Sequence, residues 1–195
     1  MPKLGMEPIR RASLVQATIA EIGRAGSLDV TVSQIAKRAG MSPALAHHYF
    51  GSKEQIFLAA MRHILTVYGA EVRGALVAAD GPEARVRAIL KASFGPANFR
   101  AEVIAAWLNF YVQAQTSAEA CRLLGVYQKR LRANLIHALR PLVGPRAGAV
   151  ADMLGALIDG LFIRAALGAD APDAAAATTS VMDCLEMCLE HEARK

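Results

Sequence analysis

Cysteine is scarce in this chain, whose 195 residues include three: Cys121, Cys184 and Cys188. An odd number of cysteines, after an opening segment (MPKLGME) too polar and too short for a targeting sequence, argues against a disulfide framework and predicts a cytoplasmic protein. Cys184, Cys188 and His191 share one helical face that suits a metal ion, but buried packing explains a cysteine pair on an apolar helix more simply. We predict neither a metal nor a cofactor.

The motifs of common enzyme chemistry are absent as well. The chain has no glycine-rich phosphate loop, no HExxH, no GxSxG, and no separated Cys, His and Asp residues that would suggest a nucleophilic triad. No segment reaches 18 uncharged apolar residues, and the nearest one, 147–169, is interrupted by Asp152, Asp159 and Arg164. The sequence therefore predicts no membrane contact, and it leaves a small all-α enzyme as a distant alternative.

Alternation of apolar and polar residues, which would predict β-strands, is not found, and neither is an internal repeat. Helical periodicity runs through the chain instead, so the predicted fold class is all-α. Glycine- and proline-containing segments separate the predicted helices, which cover residues 8–25, 31–39, 43–50, 52–78, 83–93, 99–115, 117–142, 145–167 and 173–191.

Positive charge is in mild excess and is unevenly placed. The chain carries a net charge of +5. Residues 1–60 hold seven Lys or Arg against four acidic residues, whereas the remainder holds fifteen against thirteen. The first third therefore carries +3 of the +5, which favours an anionic partner such as nucleic acid at that end.

One stretch in this third, TVSQIAKRAGMSPALAHHYFGSK, has the pattern of two short helices joined by a tight turn. Thr31 and Gln34 have the spacing of a capping box, and Gly40 ends the first helix. Ser42 is an N-cap candidate, with Pro43 at the first position of the second helix. The pattern predicts a helix-turn-helix whose second helix enters the DNA major groove; the alternative is a helical hairpin within a core.

Helical spacing within the second helix of this pair indicates which of its residues would face DNA. Ala46 and Phe50 lie four residues apart and can pack inward, which turns the opposite face outward. The residues that this face offers to base edges and thymine methyls are Pro43, Ala44, Leu45 and His47, with His48 and Tyr49 near its flank. The expected phosphate donors are His47, Tyr49, Lys53 and the helix N-termini at Thr31 and Ser42.

The same segment resembles the DNA-binding domain of the TetR family of bacterial repressors. The resemblance rests on Thr31, Ile35, Ala36, Ala39, Gly40, Met41, Ser42, the HHYF run from His47 to Phe50, and Lys53. It implies a DNA-binding domain over residues 1–55 and a helical ligand-binding and dimerisation domain over residues 56–195. It also implies base reading by the third helix, phosphate anchoring by Tyr49 and Lys53, and a homodimer on double-stranded operator DNA, joined through its last two helices.

Aromatic residues make up only 6% of the chain, yet several could share a cavity in its second half. These are Trp107, Phe110 and Tyr111 on one helical face, with Tyr127 and Phe162 on other helices. Aromatic faces attract a quaternary ammonium ion, and Asp159 is a candidate counter-charge. Alternatively, Asp159 is paired with Arg164 or with a residue across an interface. The alternative is that these rings are ordinary core residues. Gly160, inside a predicted helix, suggests the close approach of another helix or a ligand.

The likeness extends along nearly the whole chain to choline-responsive members of the TetR family. It is carried by Ile9-Arg10-Arg11, Ala106-Trp107-Leu108 and the stretch 157–167, beside the helix-turn-helix. It implies repression of genes for choline uptake and oxidation to glycine betaine, relieved by choline. The alternative is a TetR-family repressor of another pathway that answers a different small apolar or cationic ligand.

Overall fold

The computed structural model describes residues 5–193, with side chains described as far as residue 190. Within that range the chain forms helices and turns without strands, which confirms the all-α prediction. The helices are α1 (Met6–Ala25), α2 (Val32–Arg38), α3 (Pro43–Phe50), α4 (Lys53–Val77), α5 (Pro82–Ser93), α6 (Ala101–Gln113), α7 (Ala118–Val143), α8 (Ala147–Leu167) and α9 (Ala174–Ala193). Each predicted helix is found, with ends within about two residues of those expected.

Two prolines sit differently from their predicted places at helix starts. Pro8 is the third residue of α1, because the helix begins at Met6. Pro145 lies in a short 3-10 turn, Gly144–Arg146, which leads into α8. Both positions are tolerated because the N–H groups of a first helical turn have no acceptor within the helix, so a missing one costs little.

Helix α1 supports the N-terminal part of the molecule and packs against α2, α4 and α6. Its buried face includes Leu14, Thr18 and Ile22. The Thr18 hydroxyl donates to the Leu14 carbonyl at 2.7 Å, so this buried polar group is satisfied within the helix. The helices predicted to bind DNA therefore pack, through α2, against a helix that also contacts the second half of the chain.

A buried carboxylate ties α1 to α2. Glu21 accepts a hydrogen bond from Arg24 on its own helix at 2.7 Å and another from Arg38 at the end of α2. These bonds from Arg24 and Arg38 hold the pKa of Glu21 below its ordinary value. The end of α2 is thus fixed against α1 by a charge pair as well as by apolar packing.

Helix α4 connects the two halves of the molecule. Its 25 residues span about 37 Å. Ile56 and Phe57 are buried near its start, and Val72 is buried near its end. It packs against α1, α5, α6 and α7, so both halves share this helix.

The second half is a bundle in which α8 packs against α6, α7 and α9. Its core consists of apolar residues on the facing sides of these helices, among them Leu131, Leu135, Leu139, Leu154, Ile158, Val181 and Leu185. No helix within residues 5–193 is long and apolar enough to cross a membrane.

Candidate DNA interface and aromatic ligand cluster

Local hydrogen bonds set the turn between α2 and α3. Thr31 and Gln34 form the predicted capping box: the Gln34 N–H donates to the Thr31 hydroxyl at 3.1 Å, and the Thr31 N–H donates to Gln34 Oε1 at 2.7 Å. Gly40 has a φ of 67°, and the next N–H, that of Met41, donates back to the Ala36 carbonyl at 2.9 Å. Because this helix ending needs a left-handed residue, Gly40 sets the direction in which the chain enters α3.

Helix α3 presents the small, partly polar surface that was predicted. Ser42 caps it by accepting the Leu45 N–H at 3.2 Å, and Ala46 is fully buried beneath it. The surface consists of exposed Pro43, Ala44, His47 and His48, with half-buried Leu45 and Tyr49 at its margins. The side chains at the start of the exposed face, Pro43 and Ala44, are small, so a base edge can approach the helix closely there.

His47 is oriented by the end of its own helix. Its Nδ1 lies 3.0 Å from the Gly51 carbonyl oxygen. Because a carbonyl only accepts, Nδ1 carries the hydrogen in the neutral ring, which leaves Nε2 as an acceptor. Neutral His47 can therefore accept a hydrogen bond from a base amino group, whereas donation to phosphate, the other role predicted for it, requires the protonated ring.

Two arginines of α1 hold the C-terminal end of α3. Arg11 donates to the Tyr49 carbonyl at 2.7 Å, and its guanidinium lies 4.5 Å from the centre of the Phe50 ring. Arg10 lies beside the Tyr49 hydroxyl at 3.5 Å, the long limit of a hydrogen bond. Tyr49 and Arg10 together thus offer a hydroxyl and a cation on the flank of the reading helix, a pairing that spacing along the chain did not indicate.

Lys53, predicted as a phosphate anchor, has a partner within the protein. Its ammonium donates to the Leu28 carbonyl at 3.0 Å and so ties the start of α4 to the loop between α1 and α2. An ammonium group has three N–H donors, so the remaining two are not used by this bond. A phosphate contact by Lys53 stays a prediction, with a structural role beside it.

The predicted aromatic residues of the second half form one cluster centred on Trp107. The distances from its ring centre to those of its neighbours are 4.8 Å to Tyr127, 5.7 Å to Tyr111, 5.8 Å to Phe110 and 6.2 Å to Phe162. Trp107 is 5% exposed and Phe110 is fully buried. The helices thus bring the five rings together as a closely packed group, and their role in binding a ligand stays a prediction.

Asp159 adds a negative charge to one side of this cluster. It accepts a hydrogen bond from the Tyr111 hydroxyl at 2.9 Å. Burial raises the pKa of Asp159 above its ordinary value, and the bond from Tyr111 opposes that rise. No ion pair joins Asp159 to Arg164 within the described part of the chain, so that alternative partner is wrong.

A cleft between α7 and α8 gives solvent a route to these groups. Its volume is about 240 Å³, and its lining includes Tyr127, Asp152 and Asp159. Tyr127 is 9% exposed, with a pKa raised well above the ordinary tyrosine value by burial, so its hydroxyl stays neutral. Asp152 is paired at 2.6 Å with Arg132, which also lines the cleft, so the carboxylate that can attract a cation beside the aromatic wall is that of Asp159.

Residues 14–60 match the family described as bacterial regulatory proteins of the tetR family. Residues 82–190 match the family described as the C-terminal part of BetI-type transcriptional repressors. The chain belongs to the TetR family. It is a DNA-binding transcriptional repressor of the BetI type and not an enzyme, so the distant alternative of a small all-α enzyme is set aside.

One relative of this TetR-family repressor is the HTH-type transcriptional regulator BetI of Brucella suis, which is 53% identical over 190 residues, 97% of this chain and 96% of that protein. Among solved structures, a transcriptional regulator of Pseudomonas aeruginosa PAO1 is 26% identical with a TM-score of 0.76, covering 96% of this chain and 93% of that one. A regulator of Saccharomonospora viridis in complex with choline has a TM-score of 0.79 at 21% identity, covering 90% and 95%, and shares the fold.

Three rings of the repressor's cluster were not predicted: Tyr68, Phe94 and Phe99. The Tyr68 ring lies 5.7 Å from that of Tyr127, and Phe94 and Phe99 lie 5.9 and 5.0 Å from Phe162. Phe94 and Phe99 lie within the connection between α5 and α6 and not on a helix that carries the other rings. An apolar ring on each side of a Gly-Pro pair was the available signal, because a connection rarely exposes two phenylalanines.

Two further predictions of the sequence meet the structure here. A Cβ built on Gly160 would touch nothing within 4 Å, so no other helix of the described chain approaches it closely, and the approach of a ligand or of a partner helix stays a prediction. Cys188 is buried beside Cys184, and burial raises the pKa of its thiol, which fits packing. The His191 side chain lies outside the described part of the structure, and the side chains through residue 190 form no metal-binding group of three or more.

Proposed function

We propose that this repressor controls genes for choline uptake and oxidation to glycine betaine, and that choline releases it from its operator. The observation that carries the proposal is the Trp107 cluster with the Asp159 carboxylate beside it. The BetI name of the Brucella relative and the choline held by the Saccharomonospora regulator support the same ligand. The nearest alternative is a repressor of another pathway with a different apolar or cationic ligand.

The chemistry of the ligand explains why such a site suits it. A trimethylammonium group cannot donate a strong hydrogen bond, so aromatic faces and a carboxylate at some distance must hold it, each cation-π contact contributing roughly 0.5–2 kcal/mol. Trp107 and Tyr127 would form the walls, with Asp159 as the counter-charge. Because Trp107 is almost fully buried, entry requires the cleft between α7 and α8 to widen.

For DNA, we assign base reading to the exposed face of α3, with Pro43, Ala44, Leu45 and His47. We assign phosphate contacts to the groups around it: Thr31, Ser42, His48, Tyr49 and Lys53. The reading unit is then residues 1–55, and residues 56–195 bind ligand and form the dimer. Such a repressor acts in the cytoplasm, on the nucleoid.

Release requires that choline bind one arrangement of the dimer's two DNA-binding domains more tightly than another. A ligand that binds both arrangements equally does not change the equilibrium between them. The cluster has a physical connection to the reading unit: the Phe110 ring lies 6.3 Å from Phe57, which is buried near the start of α4. Opening the cluster around Trp107 would therefore press on α4, which packs against α3.

The test is titration of choline into the complex of the full-length protein with a labelled operator, followed by fluorescence anisotropy. Wild type should release the operator at millimolar choline or below, and Trp107→Ala should need at least about tenfold more. Trp107→Phe keeps an aromatic face and should respond in between, while thermal melts show that each variant is folded. If millimolar choline left the wild-type complex bound to DNA, the assignment to the choline pathway would be wrong. If Trp107→Ala responded to choline as wild type does, the choline site would lie elsewhere in the protein.

A further inference from the structure

A second cleft, of about 370 Å³, opens between α4 and α7. Its walls are mainly apolar and aromatic, with Leu65, Tyr68 and Val72 from α4 and Val126 and Tyr127 from α7. Ligand sites in proteins are commonly roughly 300–1,000 Å³ and mostly apolar, with a few polar groups that fix orientation. In size and lining, this cleft has the properties of a small-molecule site.

The charged groups that line this cleft are cationic, and they lie beside the neutral polar residues Thr66 and Asn134. Arg62 and Arg130 line it, and none of its described lining residues is acidic. Arg62 is paired with Glu119, whereas Arg130 makes no ion pair or hydrogen bond within the described residues. A guanidinium nitrogen of Arg73 lies 3.3 Å from the position that a Cβ on Gly69 would occupy, so a third arginine stands beside the wall.

We propose that this cleft binds a small organic carboxylate, with the carboxylate on Arg130 and the body of the ligand on the rings of Tyr68 and Tyr127. A guanidinium binds a carboxylate through two parallel hydrogen bonds, and Arg130 has its donors free for this. The Tyr68 hydroxyl is engaged with Ser93 Oγ at 3.3 Å, so its ring, not its hydroxyl, is available to a ligand. An inorganic anion would leave that aromatic wall without a partner.

Tyr68 adds no negative charge that would oppose an anion. Burial raises its pKa to about 12, so the phenol is neutral at any physiological pH. The neighbouring Tyr127 is neutral for the same reason. Among the described lining residues, the charged groups are therefore Arg62 and Arg130. The acidic groups nearby are Glu119, which is paired with Arg62, and Asp159, whose charge contributes to the raised pKa of both tyrosines.

The site is separate from the one proposed for choline, although Tyr127 and Leu131 line both clefts. In the cleft between α7 and α8, Arg132 neutralises Asp152 and the Asp159 carboxylate attracts a cation, whereas the cleft between α4 and α7 presents Arg130 without an ion-pair partner and repels one. The carboxylate site does not depend on choline being the releasing ligand. Each can fail while the other stands.

Isothermal titration calorimetry on the full-length protein tests this with two matched pairs of probes. Glycine betaine and choline share a trimethylammonium group and differ in a carboxylate against a hydroxyl. The pair 3,3-dimethylbutyrate and 3,3-dimethylbutanol repeats that difference on an uncharged body. Both carboxylates should bind wild type, and Arg130→Gln should weaken them about 10- to 100-fold, as expected for loss of hydrogen bonds to a charged group.

Two further variants complete the test. Lys129→Gln removes an exposed neighbouring cation outside the cleft lining and should leave carboxylate binding within about twofold of wild type. Gly69→Leu, whose Cβ would meet only the mobile end of Arg73, should fill the cleft and abolish carboxylate binding without affecting choline. Failure of both carboxylates to bind at millimolar concentration, equal weakening by Arg130→Gln and Lys129→Gln, or competition of glycine betaine with choline would each overturn the proposal.

Discussion

Gly23 of α1 and Glu102 of α6 meet so closely that a Cβ built on Gly23 would lie 2.6 Å from the Glu102 Cα. The obstacle includes the Glu102 backbone as well as its side chain, so a side chain at position 23 can be accommodated only if the two helices separate. Gly23→Ala should lower the free energy of unfolding by roughly 1–3 kcal/mol, in the range of overpacked core sites. Because α1 supports the reading helices, operator affinity should fall as well.

The matched control is Gly74→Ala in α4. A Cβ there would touch nothing within 4 Å, and alanine is the better helix former, so this variant should be as stable as wild type or more stable by up to about 1 kcal/mol. Urea denaturation followed by circular dichroism measures both. Equal stability of the two variants would show that α1 and α6 are free to adjust their contact.

Choline affinity should depend on pH through Asp159. Burial raises the pKa of this carboxyl, so it becomes neutral on acidification before an ordinary aspartate does, and a neutral group does not attract a cation. Choline itself does not titrate. Affinity measured by calorimetry should therefore be constant at neutral pH and fall as the pH drops through the raised pKa of Asp159, by about tenfold in all.

Asp159→Asn is the control for this dependence. It should bind choline about tenfold more weakly at pH 7, with little change on acidification, because its side chain does not ionise. An Asp159→Asn protein that retained the wild-type pH profile would place the titrating group elsewhere.

Lys53 and His47 should affect DNA binding in different ways. Lys53→Ala should weaken operator and scrambled duplexes alike and reduce the slope of log affinity against log salt by about one unit, as for one lost phosphate contact. It should also lower the free energy of unfolding by about 1 kcal/mol, because the bond to the Leu28 carbonyl is lost.

His47→Ala should weaken binding to the operator and leave binding to scrambled DNA unchanged. Anisotropy with both duplexes over a salt series separates these outcomes, and equal losses for His47→Ala would exclude base reading.

We expect α8 and α9 together to form the dimer interface, because the exposed apolar residues of α8 lie on one stripe. The large ones are Met153, Ile163 and Leu167. The small residue within this stripe is Gly160, whose Cβ position is open in one protomer and leaves room for a second. Two-fold pairing there would repeat the reading helix along a pseudo-palindromic operator.

Ile163→Glu should convert the dimer into a monomer in sedimentation equilibrium at micromolar concentration, because the charge would be buried unpaired. Val77→Glu, at a more exposed apolar residue at the end of α4, should remain dimeric. A wild-type protein that sedimented as a monomer would count against the interface and the two-fold operator together.

The sequence by itself determined the helices and the form of the reading unit. Thr31, Ser42 and Ser52 cap helices through bonds to backbone N–H groups three residues away, and Gly40 ends one with a left-handed residue. These signals act within a turn of the chain, so they can be read without knowing the fold. The inward position of Ala46 followed from helical spacing alone.

Only the tertiary structure decided which distant residues meet. Glu21 with Arg38, Tyr111 with Asp159, and Gly23 with Glu102 depend on the angles and distances at which whole helices pack, which no local pattern encodes. The same packing brought the aromatic rings together around Trp107 and placed Phe94 and Phe99 beside them. It also placed Arg130, which has no ion-pair partner among the described residues, at a separate cleft. Helix packing therefore decided which of the residues seen in the sequence share a site.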